Sequence, residues 1–344
     1  MKKSLLLIFL IFFFSGCSQI KLPEQEKESE MIYFISQIKN VRTINSLKTI
    51  NKEVSIIKVK SAPEEMVISL PIWCKNANLF FATFSNNKNS DIYSFNIQGE
   101  KLKNLTNTSN NYESNPVCSP DGEWIVFEKF DSKSDIWLMD INGKKMKNLT
   151  EEYPQNITPV WSNDSSLIFF NSLKDGSPNI FSITLDGKLT NISKGIGIDG
   201  SFSLSPDSSK IVFDSDRAGN FDIFLLDLNS SDLRNITLSN DIESEPLFSS
   251  DGRKVLYKIQ SGPNFDYVVF DLESGTSDRI TSFPEKYKGN AIWSSDSTKI
   301  YFNMEERESL DIFSFDINSN ELINLTNTPK IDEFSPLLVN FPIK

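Results

Sequence analysis

The side chains with chemistry to offer are mostly carboxylates, and the positions that hold them recur at nearly equal intervals. Glu113, Asn156, Asp199, Glu243, Lys288 and Glu333 are separated by 43, 43, 44, 45 and 45 residues, with Glu245 and Asp332 beside them. Oxygen ligands of this kind suit a hard cation such as Ca2+, or a basic segment of a partner protein. Paired carboxylates can also do acid–base work, which makes Glu113, Glu243 and Glu333 the candidates if the chain is a glycan lyase or hydrolase. The chain has no histidine. That removes the Ser-His-Asp and Cys-His schemes, His-ligated zinc and the commonest general base. Neither a Gly-rich phosphate loop nor a Gly-x-Ser-x-Gly elbow occurs. The expectation is an acidic rim, interrupted by Lys288, that binds rather than catalyses; no cofactor is expected beyond Ca2+ at that rim.

One further reactive group is the thiol of Cys17. Lys2 and Lys3 precede an unbroken apolar run from Leu5 to Phe14, followed by Ser15-Gly16-Cys17. An apolar run of ten residues is half of what a helix needs to cross a bilayer, roughly 20, so residues 1–16 read as a signal peptide. Small residues before Cys17 leave the backbone open to a peptidase, and the thiol can take a diacylglyceryl group. Phe14-Ser15-Gly16-Cys17 resembles the lipobox of bacterial lipoproteins, with Phe14 where Leu is usual. The resemblance implies lipidation at Cys17 and an extracytoplasmic place on a bacterial membrane, at the periplasmic side of the outer membrane or at the cell surface. Residues 17–30 hold almost nothing apolar and read as a flexible tether.

The elements that position the carboxylates come from a repeat. Pro116-Val117-Cys118-Ser119-Pro120-Asp121-Gly122 is echoed at residues 159–165, 202–208, 246–252 and 291–297, with a degenerate copy at 71–76. Two more landmarks keep the beat. A polar residue opens an apolar strand at Asp91, Asp135, Asn179, Asp222, Asp266 and Asp311, and a closing Asn-Leu-Thr stands at 104–106, 148–150 and 324–326. Within each unit, short apolar runs of period two such as Ile211-Val212-Phe213 alternate with turn residues, giving four strands per unit. Four antiparallel strands every 43 to 45 residues is the period of a β-propeller blade.

Ser205-Pro206-Asp207 through Phe213, then Ser215 through Phe224, then Asn235-Ile236-Thr237 resemble the WD40-like repeat of TolB-type propellers, over residues 71 to 339. The resemblance implies an all-β propeller over residues 31–344 and a habit of binding envelope proteins. It does not carry over the pathway, because that family has an α/β domain before its propeller and is ordinarily soluble. Residues 333–339 align with a first strand, and residues 31–59 supply second, third and fourth strands, so seven blades are expected, with the chain ends sharing one; six with an irregular N-terminal extension is the alternative.

Repetition itself argues that Asp121, Asp164, Asp207, Asp251 and Asp296 form turns and that the strand-opening acids hold hairpins. Trp73, Trp161, Phe248 and Trp293 share one first-strand position and read as inter-blade core, which leaves few tryptophans for a carbohydrate-binding propeller. Cys74 and Cys118 fall one position out of step, on opposite strand faces, so no disulfide is expected. Net charge is -11, which discounts nucleic acid as a partner. The expected protein is a monomeric, non-catalytic scaffold that binds an envelope protein and meets the membrane through the lipid on Cys17.

Overall fold

The computed structural model describes residues 30–38, 41–49, 51–57, 67–69, 71–75, 77–85, 89–96, 98, 100–283 and 286–339. Cys17, the segment 1–16 and nearly all of the expected tether lie outside them. The described residues are strands and turns, with no helix among them.

Each repeat folds as an antiparallel sheet running from an inner strand outward. The third is typical: Asn156–Trp161, Leu167–Ser172, Asn179–Thr184 and Leu189–Asn191 pair in chain order. The fourth (199–235), fifth (243–279) and sixth (288–324) repeat that order. The first (67–104) and second (112–148) appear as one nine-stranded sheet, joined only by a parallel bridge between Ser90 and Tyr112. A further sheet takes strands from both chain ends: Asp332–Val339 lies innermost, followed by Met31–Ile38, Val41–Lys48 and Glu53–Ile57. The sharing expected from the alignment is thus present. It sits between neighbours on either side, since Tyr33 and Ile35 cluster with Phe80 and Phe84 of the first repeat, and Ile32 and Phe34 with Tyr301 and Ile312 of the sixth.

The second and third strands depart from period two. Ile211, Val212 and Phe213 are all fully buried, as are Ile125 and Val126. A sheet sandwiched between two others has no wet face, so its middle strands become continuous apolar runs. The turn acids behave as expected. Asp164 accepts from Ser162 Oγ at 2.6 Å and from the Ser166 amide at 3.0 Å, and Asp207, Asp251 and Asp296 do the same with their own neighbours. Trp161 and Trp293 are buried between sheets, their indole N–H groups donating to Val117 O and Leu247 O of the preceding repeats.

One expectation fails outright: Cys74 and Cys118 form a disulfide, with Cα atoms 5.6 Å apart. Their opposite strand faces are the reason, not the obstacle. Neighbouring propeller sheets pack face to face, so the trailing face of the first repeat looks at the leading face of the second. Trp73 turns back toward the terminal sheet while Cys74 turns forward, into a cluster with Phe81, Ile125 and Cys118.

Candidate functional site: buried junctions, channel ring and apolar mouth

The six periodic positions are not a solvent-facing rim. Glu113, Asn156, Asp199, Glu243, Lys288 and Glu333 are each at most 3% exposed. Each is already on its inner strand, and strand alternation turns it against the preceding repeat. It meets there the residue that opens the third strand and the closing Asn-x-Thr that follows. In the sixth repeat Asn324 Nδ2 donates to Asp311 Oδ2 at 2.7 Å, the Thr328 amide donates to Asp311 Oδ1 at 3.0 Å, and Thr328 Oγ lies 2.9 Å from Glu333 Oε1. Asn104, Asn148 and Asn235 likewise donate to Asp91, Asp135 and Asp222. The strand-opening acids are therefore hairpin clasps, as their repetition implied, and the expected rim acids are the clasps between repeats.

Several junctions contain a built-in cation. Arg217 Nη2 lies 2.7 Å from Asp199 Oδ1, Lys133 Nζ 3.3 Å from Asp135 Oδ1, and Lys129 Nζ 3.7 Å from Glu113 Oε1. Lys288 Nζ is 3.1 Å from Asp266 Oδ1 and donates to the carbonyls of Phe265, Phe283 and Lys286 at 2.8, 2.6 and 3.0 Å. Burial pushes the Glu113 and Glu243 carboxyls up and Glu333 to about 7, against the lowering by their threonine and serine hydroxyls; Asp91, Asp222 and Asp311 respectively add to the rise.

The groups that face the channel lie elsewhere on the same strands. Among the described residues, the inner strands of the second to sixth repeats are each bulged two residues beyond the junction side chain, leaving Asn115, Thr158, Ser201, Glu245 and Asn290 exposed. Second-strand side chains tie down the bulges at Asn115, Thr158, Ser201 and Glu245. Glu128 Oε1 accepts from Asn115 Nδ2 at 2.9 Å and from the Thr158 amide of the next repeat at 2.6 Å. Asn171 donates to the carbonyls of Asp199 and Gly200, and Lys258 Nζ to Glu245 Oε2 at 2.7 Å. Asp214 accepts the amides of Ser201 and Glu245 at 3.1 and 2.9 Å. Its carboxylate lies where a Cβ on residue 200 would stand, so that position must be Gly200. Of the predicted set only Glu245 reaches this ring. Asp332 is exposed at the mouth, its Oδ1 accepting from the Leu310 amide at 3.2 Å.

Burial raises Asp214 from 3.8 to about 6, more than its two amide donors lower it. A raised carboxyl favours folding most where it is protonated, so this contribution is full below about pH 4 and is lost as pH rises through about 6. Between pH 4 and 7 wild type is expected to lose roughly 3 kcal/mol relative to Asp214→Asn; urea titrations of both proteins across that range check it, and parallel pH profiles would contradict the assignment.

The mouth is apolar where an acidic rim was expected. The residue just before each junction position is Tyr112, Ile198, Ile242 and Tyr287 in four of six cases, all at least 41% exposed. Ile196 is 98% and Leu238 80% exposed at the same end. Leu238 stands at φ 47, where the equivalent residues are Asn107, Lys194 and Asn327; a Leu gains nothing from the left-handed conformation.

Radial four-stranded sheets, inner strands around a channel and a mouth of loops define a β-propeller. The model of the TolB beta propeller domain matches residues 62–194 and 186–287. The chain belongs to the TolB β-propeller family. A TolB homolog of Chlorobium luteolum is 30% identical over 145 residues, 42% of this chain and 33% of that protein. The Tol-Pal system protein TolB of Francisella tularensis is 33% identical over 85 residues, 24% of this chain and 20% of that one. The chain thus spans a third or less of these relatives. Among solved structures, TolB from Acinetobacter baumannii aligns over 89% of this chain and 82% of its own at 16% identity and TM-score 0.55. A puromycin-hydrolysing peptidase of Mycobacterium tuberculosis aligns over 86% and 53% at 12% identity and TM-score 0.67, and an oligogalacturonate lyase in complex with manganese over 86% and 85% at 12% and 0.60. At such identities these likenesses show the fold alone.

Proposed function

We propose that the chain is a seven-bladed, lipid-anchored propeller of a bacterial envelope that captures a segment of another envelope protein at its apolar mouth. The carrying observation is the set of exposed apolar side chains, Ile196, Ile198, Leu238, Ile242 and Tyr287, on one end of three successive junctions. Exposed apolar groups on loops at a channel mouth are what a protein-binding site requires and a solvated loop does not. Below them Glu128, Asp214 and Glu245 outnumber Lys258, so the segment that enters carries apolar side chains and a cationic group. Family membership and a relative in a Tol-Pal system support an envelope partner. The signal peptide over 1–16, lipidation at Cys17 and the tether to residue 30 are part of the same proposal, as is the monomeric state. The enzymatic alternative loses its reagents, since Glu113, Glu243 and Glu333 lie inside the junctions, out of reach of a glycan.

A photo-crosslinker at position 242 should capture an envelope protein in intact cells, and Leu238→Asn with Ile196→Ser should cut that capture at least tenfold while leaving the protein folded. Equal capture by the variant would reject the mouth as the binding surface. Cys17→Ser should release the chain from membranes, and retention there would reject the anchor.

A further inference from the structure

The six junctions share one plan, so their charges can be compared position by position. Asp135 with Asn156 is balanced by Lys133, Asn179 with Asp199 by Arg217, and Asp266 by Lys288. Asp91 with Glu113 keeps one cation, Lys129. Asp222 with Glu243 and Asp311 with Glu333 pack two acids each, and no cation meets them among the described residues.

In the Asp311–Glu333 junction the hydrogen bonds do not close either. Thr328 Oγ lies 3.3 Å from Asp311 Oδ1 and 2.9 Å from Glu333 Oε1, but a hydroxyl has one proton and can satisfy one of them. Glu333 Oε2 is buried and makes no hydrogen bond of its own, as is true of Glu243 Oε2 in the other two-acid junction, while the Thr326 hydroxyl, which accepts from the Ile312 amide at 3.1 Å, is near enough to lower the Glu333 carboxyl. The sister junction shows what fills such a place. There the residue equivalent to Glu333 is Lys288, whose ammonium sits among Asp266 and three main-chain carbonyls. Forty-five residues on, the corresponding carbonyls belong to Leu310, Thr328 and Ile331. At Asp222–Glu243 two of the equivalent carbonyls, Ser239 and Asp241, already accept from Asn220 Nδ2 at 3.2 and 2.7 Å. At the sixth repeat the residue in the place of Asn220 is Ser309, which donates instead to Glu306 O.

We propose that the Asp311–Glu333 junction binds a hard divalent cation of the Ca2+ class, at the seam where the innermost strand of the shared sheet joins the sixth repeat. Two carboxylates neutralise its charge, and Thr328 with the main chain completes an oxygen shell. Among the described residues no three acidic, cysteine or histidine side chains are arranged to hold a metal ion by themselves, so main-chain oxygens are essential to the site. The cation would do for this junction what Lys288 does for its neighbour: hold inner strand to preceding repeat.

The test uses the full chain in detergent, stripped with a chelator, with CaCl2 as probe. Wild type should bind one Ca2+ more per chain than Glu333→Lys by equilibrium dialysis, and its thermal midpoint should rise by on the order of 5 °C at a Ca2+ concentration 100-fold above the dissociation constant. Glu333→Gln should lose most of that rise. Glu333→Lys supplies its own ammonium, as Lys288 does, and should fold, bind no Ca2+ at this site and show no rise; it decides the matter if the glutamine variant does not fold. A wild type indifferent to Ca2+, or a Glu333→Lys that binds and responds as wild type does, overturns the proposal. So does a midpoint that falls from pH 5 to 8 equally with and without Ca2+, which would make the occupant a proton.

Discussion

Lys288→Ala is expected to cost about 3 kcal/mol of folding stability, read as a lower urea midpoint, because it leaves a carboxylate that has no access to water with a single, more distant cation, Arg279 Nη1 at 3.8 Å. The Asp266 side chain is fully buried, and Lys288 Nζ lies 3.1 Å from it. The three carbonyls that the ammonium joins would lose their donor as well. Adding Asp266→Asn removes the charge while keeping an acceptor for Thr281 Oγ and the Phe283 amide, now at 2.9 and 3.1 Å. The double variant should therefore recover more than half of the loss. A single variant within about 1 kcal/mol of wild type would mean that water reaches the junction and that burial there is weaker than it looks.

Removing the Cys74–Cys118 disulfide should have an effect of similar size by a different route. The crosslink closes a loop spanning 44 residues, and the chain-entropy relation puts its stabilisation at roughly 4 kcal/mol, through the unfolded state. Both cysteines lie in an apolar cluster with Phe81 and Ile125, so Cys74→Ala with Cys118→Ala adds only a small packing loss. The double variant and reduced wild type should unfold at nearly the same urea concentration, well below oxidised wild type. If oxidised and reduced wild type unfold together, the bond contributes nothing in solution.

The architecture was legible because repetition multiplies weak signals. A single Pro-Asp-Gly is only a turn, but three landmarks in step from residue 71 to 339 fixed strand order and the sharing of a sheet by the chain ends. What could not be read one repeat at a time was the relation between repeats. Cys74 and Cys118 looked misplaced because each was assigned a face of its own sheet, and the partner face belongs to the next. Glu113, Glu243 and Glu333 looked like a rim because acids are usually wet; their hydroxyl partners come from the preceding repeat and make burial tolerable. The channel ring did leave a trace. Glu128, Asn171, Asp214 and Lys258 follow one another by 43, 43 and 44 residues, polar positions inside apolar strands. Tyr112, Ile198, Ile242 and Tyr287 keep the same beat, one residue ahead of the junctions.

The shared sheet also sets a timetable for synthesis. Met31–Ile38 pairs on one side with Val41–Lys48, which follows at once, and on the other with Asp332–Val339, roughly 300 residues downstream. At about 5–20 residues per second the wait between the two pairings is on the order of 15–60 s. During it, Tyr33, Phe34 and Ile35 have an open strand edge beside them and incomplete neighbours above and below. A nascent chain in this condition invites mispairing with any free strand, and a holdase that binds residues 31–38 until the last strand emerges would raise the folded yield without touching the finished ring.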